Sequence, residues 1–328
     1  MFETPIIADS VRDGIVFIDR SRCLRMRFNR SSCSRCISFC PAQAINIGDD
    51  LFIQKDKCNS CLLCTSLCPT EALSLDEEKF FQFFASLKEI EKKVSSPVLS
   101  CKEKKGKRGH VTLPCVGYLS EERLLSLAFL FDKVIQIDVS SCQSCEKAVV
   151  VPFLKELMDK MEEKLSFSFS SRIKIIENED NLDFEEVPYG RRDFFTAVQR
   201  RTFVELANWI KTHRHKDSYA YSIKEVPMKR TLLNRVFARI PREVRKLYLK
   251  HYYFSLQVND DCDHCFACVG ACSTGALKMG THAGKKVLLH QSALCVYCGL
   301  CVEFCRRTAI QVEIGFKGVS PFEFELLK

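Results

Sequence analysis

The spacing of the cysteines constrains this chain more than any other sequence feature. The 328 residues include 20 cysteines, which fall into five groups of four with none left over. Three groups have the spacing C-x2-C-x2-C-x3-C, at 58–68, 262–272 and 295–305, and the group at 23–40 reads C-x9-C-x2-C-x3-C. Four thiols that recur within so few residues are typical of sites in which thiolates hold a metal centre.

The repeat extends beyond the cysteines themselves. From the last cysteine of each group the chain reads CPAQAI at 40, CPTEAL at 68, CSTGAL at 272 and CRRTAI at 305. Each of these trailers has Ala four residues after the cysteine, followed by Ile or Leu. The shared trailer indicates internal duplication.

Whether the thiols form disulfides or bind metal depends on the cellular compartment, which composition and sequence pattern help to predict. Hydrophobic residues make up 46% of the chain and charged residues 27%, as in an ordinary folded protein. The N-terminal residues lack a basic region followed by an apolar stretch, and no apolar run reaches the ~18 residues of a membrane span. We therefore expect a cytoplasmic protein, or one that is peripheral on a membrane complex, where disulfides are rare. Structural zinc is the alternative to iron–sulfur clusters, although a zinc ribbon uses two knuckles separated by a long gap.

The groups and their trailers resemble those of the bacterial-type dicluster ferredoxins. That family binds [4Fe–4S] clusters through cysteine thiolates, and the fourth cysteine of each motif ligates the other cluster of the pair. The resemblance implies α+β ferredoxin-like dicluster modules at both ends, over 15–78 and 255–314, with four [4Fe–4S] clusters in total. The gaps between paired groups, 40 to 58 and 272 to 295, suit a short β-hairpin.

The resemblance also implies four ligand sets, which we call sites I to IV. Site I comprises Cys23, Cys33, Cys36 and Cys68, and site II comprises Cys58, Cys61, Cys64 and Cys40. Site III comprises Cys262, Cys265, Cys268 and Cys305, and site IV comprises Cys295, Cys298, Cys301 and Cys272. The x9 spacing departs from the family pattern, so whether Cys23 is a ligand stays open.

The fifth group lies in a region with a different pattern. Short apolar segments near 96–100, 111–114, 134–139 and 172–176 alternate with a helical pattern over 121–131, which predicts a central α/β domain over 95–188 with a small parallel sheet. Its cysteines follow the strands, and ligands gather beyond the carboxyl ends of parallel strands. We therefore expect the four to meet and call them the central site, which comprises Cys101, Cys115, Cys142 and Cys145.

The run Leu113 to Gly117, followed by a helix, a strand and Cys142-x2-Cys145, is similar to the small iron–sulfur delta subunit of methyl-viologen-reducing hydrogenases. That resemblance implies a fifth iron–sulfur centre, and we favour [2Fe–2S]. Zinc, a redox-active Cys142/Cys145 dithiol and unliganded thiols are the alternatives.

The positive charge is concentrated in a basic helical connector over 189–254. Residues 191–250 hold 16 Lys and Arg against 5 Asp and Glu, a net of +11 in a chain whose total is +8. We expect an amphipathic helix over 193–213 and solvated helices, extending to residue 253, that pack against the modules. A docking surface for an acidic partner and contact with anionic lipid are alternatives, and we expect no nucleic acid as a partner.

These patterns together predict an electron-transfer protein. The chain has no dinucleotide-binding glycine motif, no P-loop and no recognisable catalytic frame, so we assign no catalytic residue. We expect a polyferredoxin that serves as subunit or shuttle of a larger oxidoreductase, such as a hydrogenase, formate dehydrogenase or flavin enzyme, and the resemblance implies anaerobic metabolism. The alternative is an enzyme whose central site reduces a substrate or disulfide with electrons from the modules.

Overall fold

The computed structural model describes residues 16–75, 77–102, 109–187 and 221–327. The helix expected over 193–213 lies outside these residues. Among the described residues, no helix has both the length and the apolar character needed to cross a membrane.

The N-terminal part consists of short elements around the first two cysteine groups. They are β1 (Phe17–Ile18), α1 (Leu24–Arg27), α2 (Arg35–Ser38), β2 (Ile45–Ile47), β3 (Leu51–Ile53), α3 (Leu63–Leu67) and β4 (Leu73–Ser74). Strands β2 and β3 form the antiparallel hairpin expected between the groups, and β1 pairs antiparallel with β4. The outer pair therefore joins the two ends of this part.

The central part is the parallel sheet that the sequence predicts. It contains α4 (Glu77–Glu91), β5 (Val98–Cys101), β6 (Val111–Leu113), α5 (Glu121–Leu130), β7 (Ile135–Asp138), α6 (Val150–Leu165) and β8 (Ile173–Ile176). The strand order is β6-β5-β7-β8, and every pairing is parallel. Strand β7 is buried at all four residues, as expected for a strand covered on both faces.

The C-terminal part begins with two helices and then repeats the arrangement of the N-terminal part. It contains α7 (Met228–Phe237), α8 (Arg242–Tyr252), β9 (Phe254–Val258), α9 (Ala267–Ala271), β10 (Leu277–His282), β11 (Lys285–His290), α10 (Leu300–Phe304), β12 (Ile310–Ile314) and β13 (Glu325–Leu326). Strands β10 and β11 form the second expected hairpin, and β9 pairs antiparallel with β12. This pairing is the counterpart of the β1–β4 pair.

One hydrophobic core joins the N-terminal part, the central sheet and the helices α7 and α8. It includes Leu51 of β3, Leu99 of β5, Leu124 of α5 and Tyr248 of α8. A separate core around Leu256 and Leu288 lies inside the C-terminal part, and a small third cluster contains Leu24, Ala271 and Leu300. The third cluster connects the N-terminal part with the C-terminal part.

The charge of the basic connector is not all solvated, which corrects the expectation for the described part of this segment. Lys229 and Arg230 of α7 are 3% and 5% exposed. Their head groups donate hydrogen bonds to backbone carbonyls, which stabilise buried cations in place of water. Pro241 separates α7 from α8 because its ring cannot continue a helix.

Candidate metal centres

Left-handed backbone conformations shape the loops that carry three of the cysteine groups. The residue after the second cysteine has positive φ and caps a short helix, at Leu62 (66°), Phe266 (56°) and Gly299 (80°). The residue before that cysteine also has positive φ, at Ser60, His264 and Tyr297. Such conformations are uncommon outside glycine and concentrate at functional sites.

The first group departs from this geometry, in keeping with its x9 spacing. Ser34, which follows Cys33, has φ of −128° and precedes α2. The described backbone between Cys23 and Cys33 instead contains helix α1. Cys23 therefore caps α1, Cys33 lies in the connection, Cys36 lies in α2 and Cys40 follows that helix.

The shared trailer after each group has one backbone shape. The residue three positions after the last cysteine has positive φ in all four groups, at Gln43, Glu71, Gly275 and Thr308. In two groups the turn aims the N–H of the following Ala at sulfur: Ala44 N donates to Cys40 Sγ at 3.3 Å and Ala309 N to Cys305 Sγ at 3.4 Å. Both N–H groups therefore face the sulfur of the cysteine that ends their group.

The other two groups have a hydroxyl near the last cysteine. Thr70 Oγ1 lies 3.7 Å from Cys68 Sγ, and Thr274 Oγ1 lies 3.5 Å from Cys272 Sγ. The fourth cysteines of sites I and IV thus share one environment, whereas those of sites II and III share the other. The order of the two environments along the chain is reversed between the modules, since Cys68 ends the second group of its module and Cys272 ends the first group of the other.

Site II is a cavity whose walls carry all four of its cysteines. Cys40, Cys58, Cys61 and Cys64 line a small cavity together with apolar residues that include Val16 and Ile53. Burial raises the pKa of the Cys64 thiol well above its usual value. Nearby thiols act in the same direction, in the order Cys61, Cys36, Cys58 and Cys40. Cys40 therefore lies with the second group, as the ferredoxin resemblance implies.

Site I brings Cys23 next to its expected neighbours despite the long spacing. Burial raises the pKa of the Cys23 thiol, and Cys68 and Cys33 act in the same direction. Burial together with Cys68, Cys23 and Cys33 raises the pKa of Cys36 to about 12. All four thiols of the expected set are therefore near one another.

Site IV shows the same crossing between groups. Burial raises the pKa of Cys298 to about 12, and Cys295 and Cys272 contribute. Burial and the thiols of Cys295, Cys298 and Cys272 also raise the pKa of Cys301. Cys272, which ends the third group, therefore lies with the fourth group.

Site III is the most open of the four. Burial raises the pKa of Cys268 to about 11, with Cys262 and Cys265 as further causes. Cys305 packs with Cys268 around the C-terminal core. Cys265 is the one exposed cysteine, and all 20 cysteines lie in the described ranges.

The parallel sheet assembles the central site. Cys101 ends β5, Cys115 follows β6, and Cys142 and Cys145 follow β7 at the same edge. Burial raises the pKa of Cys142 to about 12, and Cys101, Cys115 and Cys145 contribute. The four cysteines meet where the strand order predicts.

The donor set at all five sites consists of thiols. Thiolates hold iron–sulfur clusters, and they also bind zinc. Within the described residues, no three or more His, Cys, Asp or Glu side chains are grouped so as to hold a single metal ion. Because burial and neighbouring thiols raise several of the thiol pKa values, filling a site must release protons.

Sequence reasoning missed three basic side chains that contact the backbone beside the cysteines. Lys229 Nζ donates to Ser66 O at 2.9 Å and to Cys68 O at 2.7 Å. Arg230 Nη2 donates to Ser292 O at 2.7 Å, close before Cys295. Their helix was recognisable as basic, but burial of its charges depends on packing between parts that are distant in sequence.

The third such residue is Arg27 of α1. Its Nε donates to Ala271 O at 3.0 Å and its Nη2 to Gly270 O at 3.1 Å, directly before Cys272. Burial lowers the pKa of Arg27, whereas Cys272 and Cys298 act in the opposite direction. The guanidinium therefore lies beside site IV although it belongs to the N-terminal part.

Comparison with known families finds two matches. A 4Fe-4S binding domain matches residues 51–74, which contain the second cysteine group. A 4Fe-4S dicluster domain matches residues 261–309, which contain the third and fourth groups. No curated protein matches the chain. The chain thus has 4Fe–4S ferredoxin-type domains flanking a central parallel four-stranded sheet.

Proposed function

We propose that this protein is a polyferredoxin, which carries single electrons between iron–sulfur clusters as subunit or shuttle of a larger oxidoreductase. The observation that carries the proposal is the exchange of fourth cysteines between neighbouring groups. Cys40 lines the cavity of site II, and Cys272 lies with Cys295 and Cys298 in site IV. This crossed arrangement is the one that dicluster ferredoxins use.

Sites I to IV would each hold one [4Fe–4S] cluster. A bound cluster supplies reversible one-electron chemistry. The residues of this chain would supply the thiolates, the apolar walls and the N–H and O–H groups near sulfur. The two matched family models support 4Fe–4S binding, and the number of clusters is part of our proposal.

We assign the central site a fifth iron–sulfur centre, with [2Fe–2S] favoured. The convergence of four buried or half-buried thiols at one sheet edge supports this assignment. The backbone N–H of Lys147 lies 3.5 Å from Cys145 Sγ and donates toward it, as donors do around cluster sulfurs.

The alternative is an enzyme whose Cys142/Cys145 pair reduces a substrate or disulfide. A reactive dithiol needs a thiol with a lowered pKa. Burial raises the pKa of Cys142 to about 12, the opposite of that requirement. This direction argues against Cys142 as the attacking thiol of a dithiol pair.

The domain limits of the proposal are 15–78, 95–188, 189–254 and 255–314. The partners we propose are one-electron redox proteins, such as a hydrogenase, a formate dehydrogenase or a flavin enzyme. A cytoplasmic setting in anaerobic metabolism, free or peripheral on a membrane complex, accords with cluster chemistry.

The test compares the wild type with the double variant Cys142→Ser/Cys145→Ser after anaerobic purification of the full chain. We expect the variant to lose the iron and sulfide of the central site while the other iron stays bound. Unchanged iron together with loss of thiol-dependent disulfide reduction would instead establish the dithiol enzyme. Circular dichroism and the retained iron of sites I to IV verify that the variant folds.

A further inference from the structure

We infer that the five cysteine sites form one unbranched row, in the order central site, site II, site I, site IV, site III. The inference rests on the proposed function, because the row matters only if the sites hold clusters. It adds a spatial order that the sequence does not contain. The order along the chain is different, since the central site lies between the two modules in sequence.

The first contact joins the central site to site II. Gly117, two residues after Cys115, lies so close to site II that an added Cβ would be 2.2 Å from the carbonyl oxygen of Cys61. Burial is the main cause of the raised pKa of the Cys115 thiol, and Cys61 is close enough to contribute to it. The central sheet therefore meets site II through backbone that touches a proposed ligand.

The second contact joins site II to site I within the N-terminal part. The groups exchange their fourth cysteines, so Cys40 lies in the wall of site II and Cys68 lies beside Cys36. Cys36 of site I is also close enough to contribute to the raised pKa of the Cys64 thiol in site II. The two sites are neighbours.

The third contact joins site I to site IV, across the boundary between the two ferredoxin-type parts. Leu24, Ala271 and Leu300 form a buried cluster, against which Cys33 of site I and Cys298 of site IV both pack. The rings of Phe28 and Phe304 meet edge to face at 5.0 Å in the same cluster.

Polar contacts hold the same boundary together. Arg27 donates to the carbonyls of Gly270 and Ala271, and the Ser32 N–H donates to Glu303 Oε1 at 3.1 Å. Helix α7 adds a second tie, since Lys229 contacts Cys68 O and Arg230 contacts Ser292 O. The junction between sites I and IV is therefore a packed and hydrogen-bonded interface.

The fourth contact joins site IV to site III. Cys268 of site III and Cys301 of site IV pack around the same C-terminal core. Cys268 also contributes to the raised pKa of the Cys301 thiol. Cys265 of site III is exposed, so this end of the row reaches the surface. The other end is the central site, where Cys115 and Cys142 are 5% and 8% exposed.

Such a row gives electrons one path through the chain. Each passage moves one electron from a reduced one-electron donor protein to an oxidised one-electron acceptor protein, and no bond is made or broken. A paramagnetic centre at one end of the row should therefore change the electron-spin relaxation of its immediate neighbour. It should have little effect on the relaxation of the centre at the far end.

The experiment measures the electron-spin relaxation of the central centre in the fully reduced, full-length protein by pulsed EPR. Loss of site II in Cys58→Ser/Cys61→Ser should slow that relaxation, because the nearest paramagnetic neighbour is gone. Loss of site III in Cys262→Ser/Cys265→Ser should leave it unchanged. An equal effect from both variants, or a larger effect from loss of site III, would overturn the row.

A variant that retains every cysteine tests the same contact. Gly117→Ala places a methyl group 2.2 Å from Cys61 O, so the backbone must shift there, and the coupling between the central site and site II should weaken. Iron content is measured in parallel to verify that both sites stay filled. The matched control is Gly48→Ala, since nothing lies within 4 Å of the Cβ added there. Equal coupling in the two variants would contradict the row even if the cysteine variants did not fold.

Metal analysis separates the two levels of the proposal. A protein that binds no iron defeats the proposed function and the row together. A protein that binds iron at all five sites but couples them in another order defeats the row alone.

Discussion

Buried and half-buried cations beside the cysteines are the main residue-scale feature that bears on electron transfer. Lys229 is 3% exposed and donates to Cys68 O, whereas Arg27 and Arg230 contact carbonyls close to Cys272 and Cys295. Reduction adds negative charge to a cluster. A nearby fixed cation in a medium of low dielectric therefore favours the reduced state.

We predict that Lys229→Met lowers the midpoint potential of the site I cluster. The variant removes a buried positive charge next to Cys68, and the shift should be on the order of tens of millivolts. Lys246→Met is the control, since it removes the same charge from an exposed position on α8. EPR-monitored redox titration of both variants is the measurement, and equal shifts would refute a specific role for Lys229.

His290 gives a residue-scale prediction of pH dependence. Burial, followed by the charge of Arg230, lowers the pKa of His290 to about 4. The unfolded chain binds a proton near the ordinary value of about 6.5, so stability falls as pH decreases from about 6.5 towards 4. At the lower end the loss reaches about 3 kcal/mol, because one pKa unit corresponds to about 1.4 kcal/mol.

The variant His290→Gln should remove this contribution to acid destabilisation. Urea denaturation at about pH 7 and about pH 5 would measure the change in unfolding free energy, with iron content followed in parallel. The wild type should lose more stability between the two pH values than the variant does. Identical losses would show that His290 is protonated without cost in the folded protein.

At the scale of elements, a buried ion pair links α5 to the CPTEAL segment that ends the second cysteine group. Arg123 Nη2 donates to Glu71 Oε1 at 3.1 Å, and the two side chains are 2% and 3% exposed. Glu71 Oε2 also accepts from the first N–H of α7, that of Met228, at 2.5 Å. One carboxylate thus connects the N-terminal part, the central sheet and the connector.

We predict that Arg123→Met destabilises the protein by about 3–5 kcal/mol, because it leaves the Glu71 carboxylate buried without its cation. The double variant Glu71→Gln/Arg123→Met should recover part of that loss. Lys160→Met is the control, since Lys160 pairs with Glu156 at the surface of α6 and such pairs are worth about 0–1 kcal/mol. Denaturant unfolding of the four proteins measures this, and similar losses for Arg123→Met and Lys160→Met would contradict it.

The elements also show how far sequence reasoning reaches. Cysteine spacing and short apolar strands were enough to predict both hairpins and the parallel sheet, because those signals are local. The burial of Lys229 and the fit of Gly117 against Cys61 depend on contacts between distant segments. A charge count over the connector predicts solvated helices, since it contains no information about which face is covered.

Across the whole molecule, two similar ferredoxin-type parts meet each other and a central sheet. The Thr70–Cys68 contact resembles the Thr274–Cys272 contact, and the Ala44–Cys40 contact resembles Ala309–Cys305, although each pair joins groups at different positions in the two parts. The parts meet at the boundary around Leu24 and Leu300, whereas the central sheet shares its core with the N-terminal part. This asymmetry places the central site beside the N-terminal part, where Gly117 meets the backbone of Cys61 in site II.

The most direct test of the central claim is the amount of iron, acid-labile sulfide and zinc per chain in anaerobically purified full-length protein. We predict about 18 to 20 iron with matching sulfide, from four [4Fe–4S] clusters and a fifth iron–sulfur centre. About 16 iron would remove the fifth centre from the proposal and favour zinc or a dithiol at Cys142 and Cys145. Zinc with little iron would contradict an electron-transfer function altogether.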